Sequence, residues 1–222
     1  MKQFISLIIF CISFSNCIFA QGNQNIKNYR QSKKHLYKIW GYSGQTFYCN
    51  CKYERRNIKE CGLQNKNPRS KKMEWEHIVP MSRFTQDKSR RYMRSNDARF
   101  NKIEADMYNI VPSVGYLNMK RSNYAYNVID GEKRNFGSCD FEIQDRIIEP
   151  SPDIRGDIAR AVLYMAWEYP DLYRPPIQYL DMMYKWLGSD PVTKPECERY
   201  KKIKQIQGDE NIYLKVACEK FN

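Results

Sequence analysis

One of the two histidines in this 222-residue chain lies inside a cluster of charged residues. His77 directly follows Glu76, Glu74 lies two positions before Glu76, and the basic stretch RSKK at 69–72 precedes all three. A neutral imidazole can take a proton from water near pH 7, carboxylate oxygens bind hard cations, and positive charge attracts phosphate. These residue types at this spacing indicate chemistry on a phosphate ester.

Hydrolysis of a phosphodiester needs a base for the attacking water, a cation for the developing charge, and further donors that favour the transition state. His77 is the candidate base, and Glu76 is the candidate ligand of one hydrated Mg²⁺, an ion that takes only one or two protein oxygens. The Glu-x-Glu-His pattern by itself also fits a surface strand with charged edges or a structural contact between histidine and glutamate. The chain has no HExxH, GxSxG, P-loop or GxGxxG pattern, which excludes the enzyme classes that these define.

Residues 73–79 predict the strand that carries this cluster. Alternation places Glu74 and Glu76 on one face of the strand and His77 on the other. For Glu76 and His77 to serve one site, the chain must leave regular strand geometry between them. Pro80 is consistent with the end of the strand.

Residues 112–123 predict a helix with Pro112 near its N-terminus. Asn118 lies three residues from both Gly115 and Arg121, so these three side chains share a face. An asparagine carbonyl suits a second Mg²⁺ ligand. A glycine within a helix costs about 1 kcal/mol relative to alanine, and it is tolerated more readily where another group must approach the backbone closely.

The stretch between this strand and this helix, residues 82–102, is strongly basic and has Tyr92 and Phe100 interleaved. It is either a solvated loop or a region that contacts phosphate, and its closeness in sequence to His77 favours phosphate. An arginine suits that contact, because its planar fork matches phosphate geometry. The cations of this stretch are Arg83, Lys88, Arg90, Arg91, Arg94, Arg99 and Lys102.

The rest of the chain predicts a single helix-rich domain of mixed α+β class. Residues 27–40 predict a helix, 46–49 a strand and 52–72 a long polar loop. Four more helices are predicted at 154–165, 177–187, 195–207 and 210–219, of which Pro170 and Gly188 end the first two. His35 lies in the first helix among lysines, which is typical of a solvated histidine.

The composition indicates the kind of partner rather than the fold. The chain has 37 Lys and Arg against 25 Asp and Glu, and 17 tyrosines. Tyrosine interleaved with cations suits nucleic acid, since rings stack on bases while cations neutralise phosphates. A soluble basic protein with tyrosines half-buried at its surface has the same composition. The hydrophobic content of 42% argues against disorder.

Residues 1–20 predict a secretory signal peptide, with Lys2 before a short apolar core and a cleavage site after Ala20. The mature chain, residues 21–222, has no other stretch apolar enough to span a bilayer. Cys17 raises lipid attachment as an alternative, although residues 14–16 are a poor signal for it. We therefore expect an exported protein without a membrane anchor.

Six cysteines remain after cleavage of the signal peptide. An even number in an exported chain predicts three disulfides, in one of fifteen connectivities. A zinc site at Cys49, Cys51 and Cys61 is the alternative. It is disfavoured because export is oxidising and the CxC spacing does not form the usual CxxC knuckle.

Residues 73–80, MEWEHIVP, resemble the active-site strand of the endonuclease I family, which comprises secreted and periplasmic nonspecific nucleases with a ββα-metal (His-Me finger) motif. The resemblance continues in order through residues 104–115, Asn118, 121–123, 155–161, 196–199 and 206–208. It therefore covers essentially the whole mature chain, which makes it much more specific than any single motif.

The resemblance implies a role for each matching residue. Glu76 and Asn118 would bind the metal and His77 would be the general base. Arg90 would stabilise the transition state, with Arg91 and Arg94 as close alternatives because this stretch is shorter than in the family. The implied metal is one hydrated Mg²⁺, for which Mn²⁺ or Ca²⁺ can substitute. The implied disulfides are Cys49–Cys139, Cys51–Cys61 and Cys197–Cys218, and the pair that the family commonly has in the basic stretch is missing.

These inferences together predict a monomeric Mg²⁺-dependent, sequence-nonspecific endonuclease, located in the periplasm or outside the cell. It would cut DNA, and RNA as well, to products with 5′-phosphates, and it would bind through the phosphate backbone. The alternative is a secreted basic protein that binds nucleic acid or another polyanion without catalysis.

Overall fold

The computed structural model describes residues 22–63, 65–131 and 133–221. The predicted signal peptide at residues 1–20 lies outside them. The helices in these ranges are α1 (Tyr29–Trp40), α2 (Arg90–Asn96), α3 (Ala98–Glu104), α4 (Gly115–Arg121), α5 (Arg155–Glu168), α6 (Ile177–Ser189), α7 (Lys194–Gln207) and α8 (Ile212–Cys218). The strands are β1 (Ser43–Gln45), β2 (Lys52–Glu54), β3 (Asn57–Glu60), β4 (Met73–His77), β5 (Ile110–Val114), β6 (Ala125–Tyr126), β7 (Phe141–Gln144) and β8 (Ile147–Pro150).

The strands form three small sheets around one buried core. β1, β2 and β3 are antiparallel, as are β4 and β5, and the third sheet has the order β6-β8-β7 with β6 parallel to β8. α5 lies deep in the core, where every residue from Ile158 to Met165 is buried. The predicted α+β class is confirmed. None of the helices described is long and apolar enough to cross a bilayer.

The central predicted strand is confirmed as β4, which ends at His77 rather than at residue 79. The predicted helix at 112–123 is wrong over its first three residues. Pro112 lies in β5 opposite Trp75, and α4 begins only at Gly115. Proline has no N–H to donate, and a two-stranded sheet tolerates it because each strand has an unpaired edge. The β-branched residues around Pro112 favour the strand.

Two other segments differ from the predictions. Residues 46–49 form a turn rather than a strand, in which the Thr46 hydroxyl accepts a hydrogen bond from the Cys51 N–H over 3.1 Å. The segment predicted as a loop at 52–72 contains the hairpin of β2 and β3. These strands are too short to show a clear alternating pattern.

The basic stretch at 82–102 is not a loop, since most of it forms α2 and α3. Ser89 Oγ accepts from the Tyr92 N–H over 3.1 Å, and Asp97 Oδ1 accepts from the Phe100 N–H over 2.9 Å. These N-caps satisfy backbone donors that the first turn leaves free. The two helices together hold several of the cations on a defined surface.

The remaining predicted helices are confirmed within a few residues. α1 corresponds to 27–40, α5 continues to Glu168 just before Pro170, and α6 extends one residue past Gly188. α7 and α8 correspond to the predicted pair at 195–207 and 210–219.

All three implied disulfides are present: Cys49–Cys139, Cys51–Cys61 and Cys197–Cys218. The zinc alternative is therefore wrong, because its three cysteines are oxidised in pairs. Cys197–Cys218 ties α7 to α8. Cys49–Cys139 connects the turn after β1 to the segment before β7, and so joins two of the sheets.

Candidate active site

β4, β5 and α4 follow one another as two antiparallel strands and a helix, and they position the predicted residues. The β4–β5 pairing continues regularly through Glu76 and His77, which lie opposite Val111 and Ile110. The expected break in strand geometry between them is therefore not observed, and β4 ends after His77. Both side chains are buried, at 5% and 6% exposure.

The His77 imidazole is held by a backbone carbonyl. Its Nε2 lies 2.9 Å from the carbonyl oxygen of Glu104, and its ring lies 5.1 Å from that of Tyr29. A carbonyl oxygen can only accept, so Nε2 carries the hydrogen and the lone pair lies on Nδ1. Burial and the nearby Arg90 charge lower the pKa of His77 to about 4. The imidazole is therefore neutral near pH 7 and able to accept a proton at Nδ1.

The Glu76 carboxylate has an oxygen without a hydrogen bond. Arg121 Nη1 lies 3.2 Å from Glu76 Oε1, but among the described residues no donor makes a hydrogen bond to that oxygen. Burial raises the pKa of Glu76 to about 7, although the Arg121 charge opposes this effect. A buried carboxylate that is incompletely paired favours a bound cation.

Arg121 was placed by its spacing on the same face as Asn118, but its contacts could not be predicted. It is 1% exposed, and it donates to the carbonyl oxygens of His77, over 2.9 Å, and of Ile78. Its Nη2 also donates to the Tyr126 hydroxyl over 3.2 Å. Arg121 therefore fastens the end of β4 to α4 and supplies positive charge beside Glu76.

Glu74 contacts Asn118. Arg69 binds the Glu74 carboxylate with both Nε and Nη2, at 3.0 and 2.6 Å, and Asn118 Nδ2 donates to Glu74 Oε2 over 3.2 Å. A Cβ at Gly115 would lie 2.6 Å from Glu74 Oε1, which is the close approach that this glycine permits. The amide contact uses Nδ2 of Asn118 and so leaves its carbonyl oxygen for another partner. Alternation alone had placed Glu74 on the same face as Glu76.

Two of the three candidate arginines bind one buried carboxylate. Arg90 and Arg94 lie one turn apart on α2, and both donate to Glu104, which is 1% exposed. Arg90 Cζ also lies 5.9 Å from the Tyr29 ring. Burial alone would raise the pKa of Glu104, but the hydrogen bond from Arg94 and the charge of Arg90 hold it below its usual range.

Glu104 contacts two of the predicted site residues and was not itself predicted. Its carbonyl holds His77 and its side chain holds Arg90, so one residue connects the candidate base to the candidate phosphate contact. The only feature of the sequence that could have indicated a role for this residue is its place in the stretch 104–115, which resembles the family.

The donor set fits a sparsely ligated cation. In the part of the chain that the structure describes, there is no group of three or more His, Cys, Asp or Glu side chains that could hold a metal ion. The Glu76 carboxylate oxygen that lacks a hydrogen bond and the amide carbonyl of Asn118 would supply one or two protein ligands. This is the number that hydrated Mg²⁺ takes.

Comparison with known proteins identifies the family of the chain. The sequence pattern of the family described as Endonuclease I matches residues 12–218. The chain is 32% identical to a periplasmic deoxyribonuclease of Aeromonas hydrophila, over 88% of this chain and 89% of that protein. It is also 32% identical to an extracellular deoxyribonuclease of the same organism, over 88% and 91%. It is 35% identical to Endonuclease-1 of Buchnera aphidicola subsp. Baizongia pistaciae, over 94% and 93%. The chain therefore belongs to the endonuclease I family of nucleases.

Proposed function

We propose that this protein is an exported, Mg²⁺-dependent, sequence-nonspecific endonuclease that hydrolyses phosphodiester bonds. The observation that carries the proposal is the hydrogen bond from His77 Nε2 to the Glu104 carbonyl oxygen. It fixes a neutral imidazole with its lone pair on Nδ1, beside a carboxylate that is suited to a cation.

In this mechanism His77 Nδ1 takes the proton of the attacking water. The Glu104 carbonyl holds the ring in the basic tautomer and stabilises the imidazolium that forms, since Nε2–H becomes a stronger donor. Burial keeps the imidazole unprotonated before the reaction. A solvated histidine would be partly charged at neutral pH.

Glu76 and Asn118 would hold the Mg²⁺ ion, and Glu74 would orient the Asn118 amide. When bound, the ion supplies positive charge for the phosphate and the leaving oxygen. Arg121 lies at 3.2 Å from Glu76 and leaves Oε1 without a hydrogen bond, so it balances the carboxylate without occupying its ligand position.

Arg90 is proposed to donate to the phosphate in the transition state. It lies beside Tyr29, whose ring contacts His77, and its charge contributes to lowering the pKa of His77. Arg94 shares Glu104 with Arg90 and is the remaining competitor, whereas Arg91 lies about 100° around α2 from Arg90. We expect Arg90→Ala to lower the cleavage rate by about 100-fold or more. A larger loss in Arg94→Ala would transfer the role to Arg94.

The substrate is proposed to be DNA, and RNA as well, bound through its phosphates and cut to products with 5′-phosphates. The net charge of +12 supports backbone binding, which should weaken steeply as salt rises. Contacts mainly to phosphate carry no sequence information. The periplasmic and extracellular relatives support a location in the periplasm or outside the cell. We propose that the enzyme acts as a monomer.

The test is nicking of a supercoiled plasmid by the purified mature protein, with and without Mg²⁺. His77→Ala should abolish nicking in Mg²⁺ while retaining DNA in a low-salt binding assay. His35→Ala is the matched control, since it removes the other histidine from a partly exposed position on α1. Nicking by His77→Ala at the wild-type rate would exclude this mechanism.

Chelation tests the role of the metal separately. EDTA should stop nicking, and added Mg²⁺ should restore it. Activity that survives complete chelation would exclude the metal roles of Glu76 and Asn118. DNA retention without nicking under any metal condition would favour the non-catalytic binding protein.

A further inference from the structure

A groove of about 680 Å³ runs along α1 beside β4. Its cationic side chains are Lys33, Lys34, Lys38 and Arg56, all of them exposed. Of the described residues that line it, one is acidic, namely Glu74, whose carboxylate Arg69 already binds. The groove is therefore complementary to a polyanion.

One end of the groove coincides with the candidate active site. Tyr29 lines the groove, and its ring lies 5.1 Å from that of His77. Glu74 lines it too and accepts the hydrogen bond from Asn118. A nucleic-acid strand bound in the groove would therefore extend to the proposed catalytic residues.

The other end of the groove carries two stacked tyrosines. The Tyr37 and Tyr42 rings are nearly parallel, at 7°, with centroids 5.2 Å apart. The Tyr37 ring also makes a T-shaped contact with the Trp75 ring, with centroids 5.2 Å apart at an angle of 76°. Tyr42 is 61% exposed although one of its faces lies on Tyr37, so its remaining surface is open to solvent.

A second hollow adjoins this pair and is lined by Tyr37, Tyr42 and Arg55. Arg55 lies at the turn between β2 and β3 with φ 55°, a region where glycine or asparagine is preferred. Its backbone N–H donates to the Tyr42 carbonyl oxygen, which fixes the turn to the stacked ring. An arginine in this conformation adds another cation beside the exposed face of Tyr42.

We propose that the groove is a subsite for single-stranded nucleic acid, in which an unpaired base stacks on Tyr42 while its neighbouring phosphates contact the lysines of α1. Aromatic stacking requires a free base face, which duplex does not offer because its bases are stacked on each other. Tyr29 and Tyr37 are eight residues apart, or about 12 Å along the helix. The groove is therefore long enough to hold a short run of phosphates from one strand.

This inference rests on the proposed function, since it names a substrate class for the same site. Stacking in the groove would favour unpaired strands, whereas attraction to backbone charge alone would favour duplex, which has more phosphates per unit length. Stacking is tolerant of sequence, because every base has an aromatic face. The subsite is therefore compatible with nonspecific cleavage.

The test compares the affinity of the protein for a thymidine oligonucleotide with its affinity for a blunt-ended duplex of equal nucleotide number, measured by fluorescence anisotropy in EDTA. Tyr42→Ala should weaken binding of the single strand by about five- to a hundred-fold and leave duplex binding unchanged. Tyr42→Phe keeps the ring and should bind as wild type does. Tyr184→Ala is the matched control, because Tyr184 is 52% exposed and contacts another tyrosine, Tyr213, outside the groove.

Salt dependence tests the path of the strand. Lys34→Gln and Lys38→Gln should each lower the salt slope of single-strand binding by about 0.7. Lys201→Gln, an exposed lysine on α7, should leave it unchanged. Unchanged slopes in both groove variants, or equal loss of single-strand and duplex binding in Tyr42→Ala, would overturn the subsite.

The binding assay does not depend on cleavage. The nuclease mechanism and the single-strand subsite can therefore be refuted independently of each other. Wild-type protein that binds the single strand through Tyr42 but never nicks DNA would refute the nuclease mechanism alone. Wild-type nicking together with full single-strand binding by Tyr42→Ala would refute the subsite alone.

Discussion

Glu104 accepts a hydrogen bond from His77 Nε2 at its backbone carbonyl oxygen over 2.9 Å, while its buried carboxylate binds Arg90 and Arg94. The two functions of this residue use different atoms and can be separated by substitution. The backbone contact sets the tautomer of His77, and the side chain sets the position of the arginines.

Glu104→Gln should therefore lower the cleavage rate without removing the base. The substitution keeps the carbonyl that holds His77, but it removes the charge that fixes Arg90. We expect a fall in kcat of about 10- to 100-fold, which is less than the loss expected for His77→Ala. Asp171→Asn is the control, since it breaks the ion pair of another arginine, Arg99, at an exposed position. Wild-type kcat in a folded Glu104→Gln protein would show that the ion pair is only structural.

Gly115→Ala tests whether Glu74 positions Asn118. A Cβ at Gly115 would lie 2.6 Å from Glu74 Oε1 and 3.0 Å from the backbone oxygen of Arg69, so the carboxylate must move. We expect the Mg²⁺ concentration for half-maximal activity to rise by about 10-fold or more, as for other residues that orient a metal ligand. Gly188→Ala is the control, because a Cβ there meets nothing within 4 Å among the described residues. An unchanged Mg²⁺ requirement in Gly115→Ala would count against the positioning role.

Alternation and residue spacing were sufficient to predict the strand and the helix that carry the candidate site residues. The strand at β4, the shared orientation of Glu74 and Glu76, and the position of Asn118 on α4 all depend on local geometry that the sequence displays. The helix start at 112 was wrong because a proline fits both a first helical turn and an edge strand. Only the pairing of β5 with β4, which is a tertiary contact, decides between them.

The contacts that complete the site could not be read from spacing. Glu104 is 27 positions from His77, and the atom that it presents is a backbone oxygen, which has no residue type. Arg121 likewise binds carbonyl oxygens at the end of β4, 43 and 44 positions away. Backbone acceptors are available everywhere in a chain, so only the fold shows which of them receives a given side chain.

The three disulfides should differ in their effect on stability according to the length of chain that they close. Cys49–Cys139 spans 90 residues and Cys51–Cys61 spans 10. In the chain-entropy account, removing the first should lower the free energy of unfolding by about 4–5 kcal/mol and removing the second by under about 3 kcal/mol. Urea unfolding of the two paired Cys→Ser variants measures the difference. A larger loss for the 10-residue loop would show that native packing, rather than loop entropy, dominates.

An acidic pair, of which Asp106 is buried and Asp209 is half-buried, gives a prediction about pH. Asp106 is 0% exposed and accepts hydrogen bonds from the hydroxyls of Tyr164 and Tyr169, at 2.8 and 2.7 Å. Tyr164 also binds Asp209, over 2.5 Å. Burial and the nearby Asp209 raise the pKa of Asp106 from 3.8 to about 7. The pKa of Asp209 is raised too, chiefly by burial.

Asp209→Asn should stabilise the protein at alkaline pH more than at acidic pH. Because the folded pKa of Asp106 lies above its unfolded value, its contribution to stability is complete below pH 4 and is lost as pH rises through about 7. As Asp106 ionises through that pH its charge is repelled by Asp209, and the amide removes that repulsion. Thermal melts should show no gain in Tm at pH 5 and a gain of roughly 2–4 °C at pH 8, for about 1 kcal/mol.

Asp171→Asn, at an exposed acid with a lowered pKa, should show no such gain at pH 8. An equal change in Tm at both pH values for Asp209→Asn would mean that its effect is steric, and that the two acids do not share a titration.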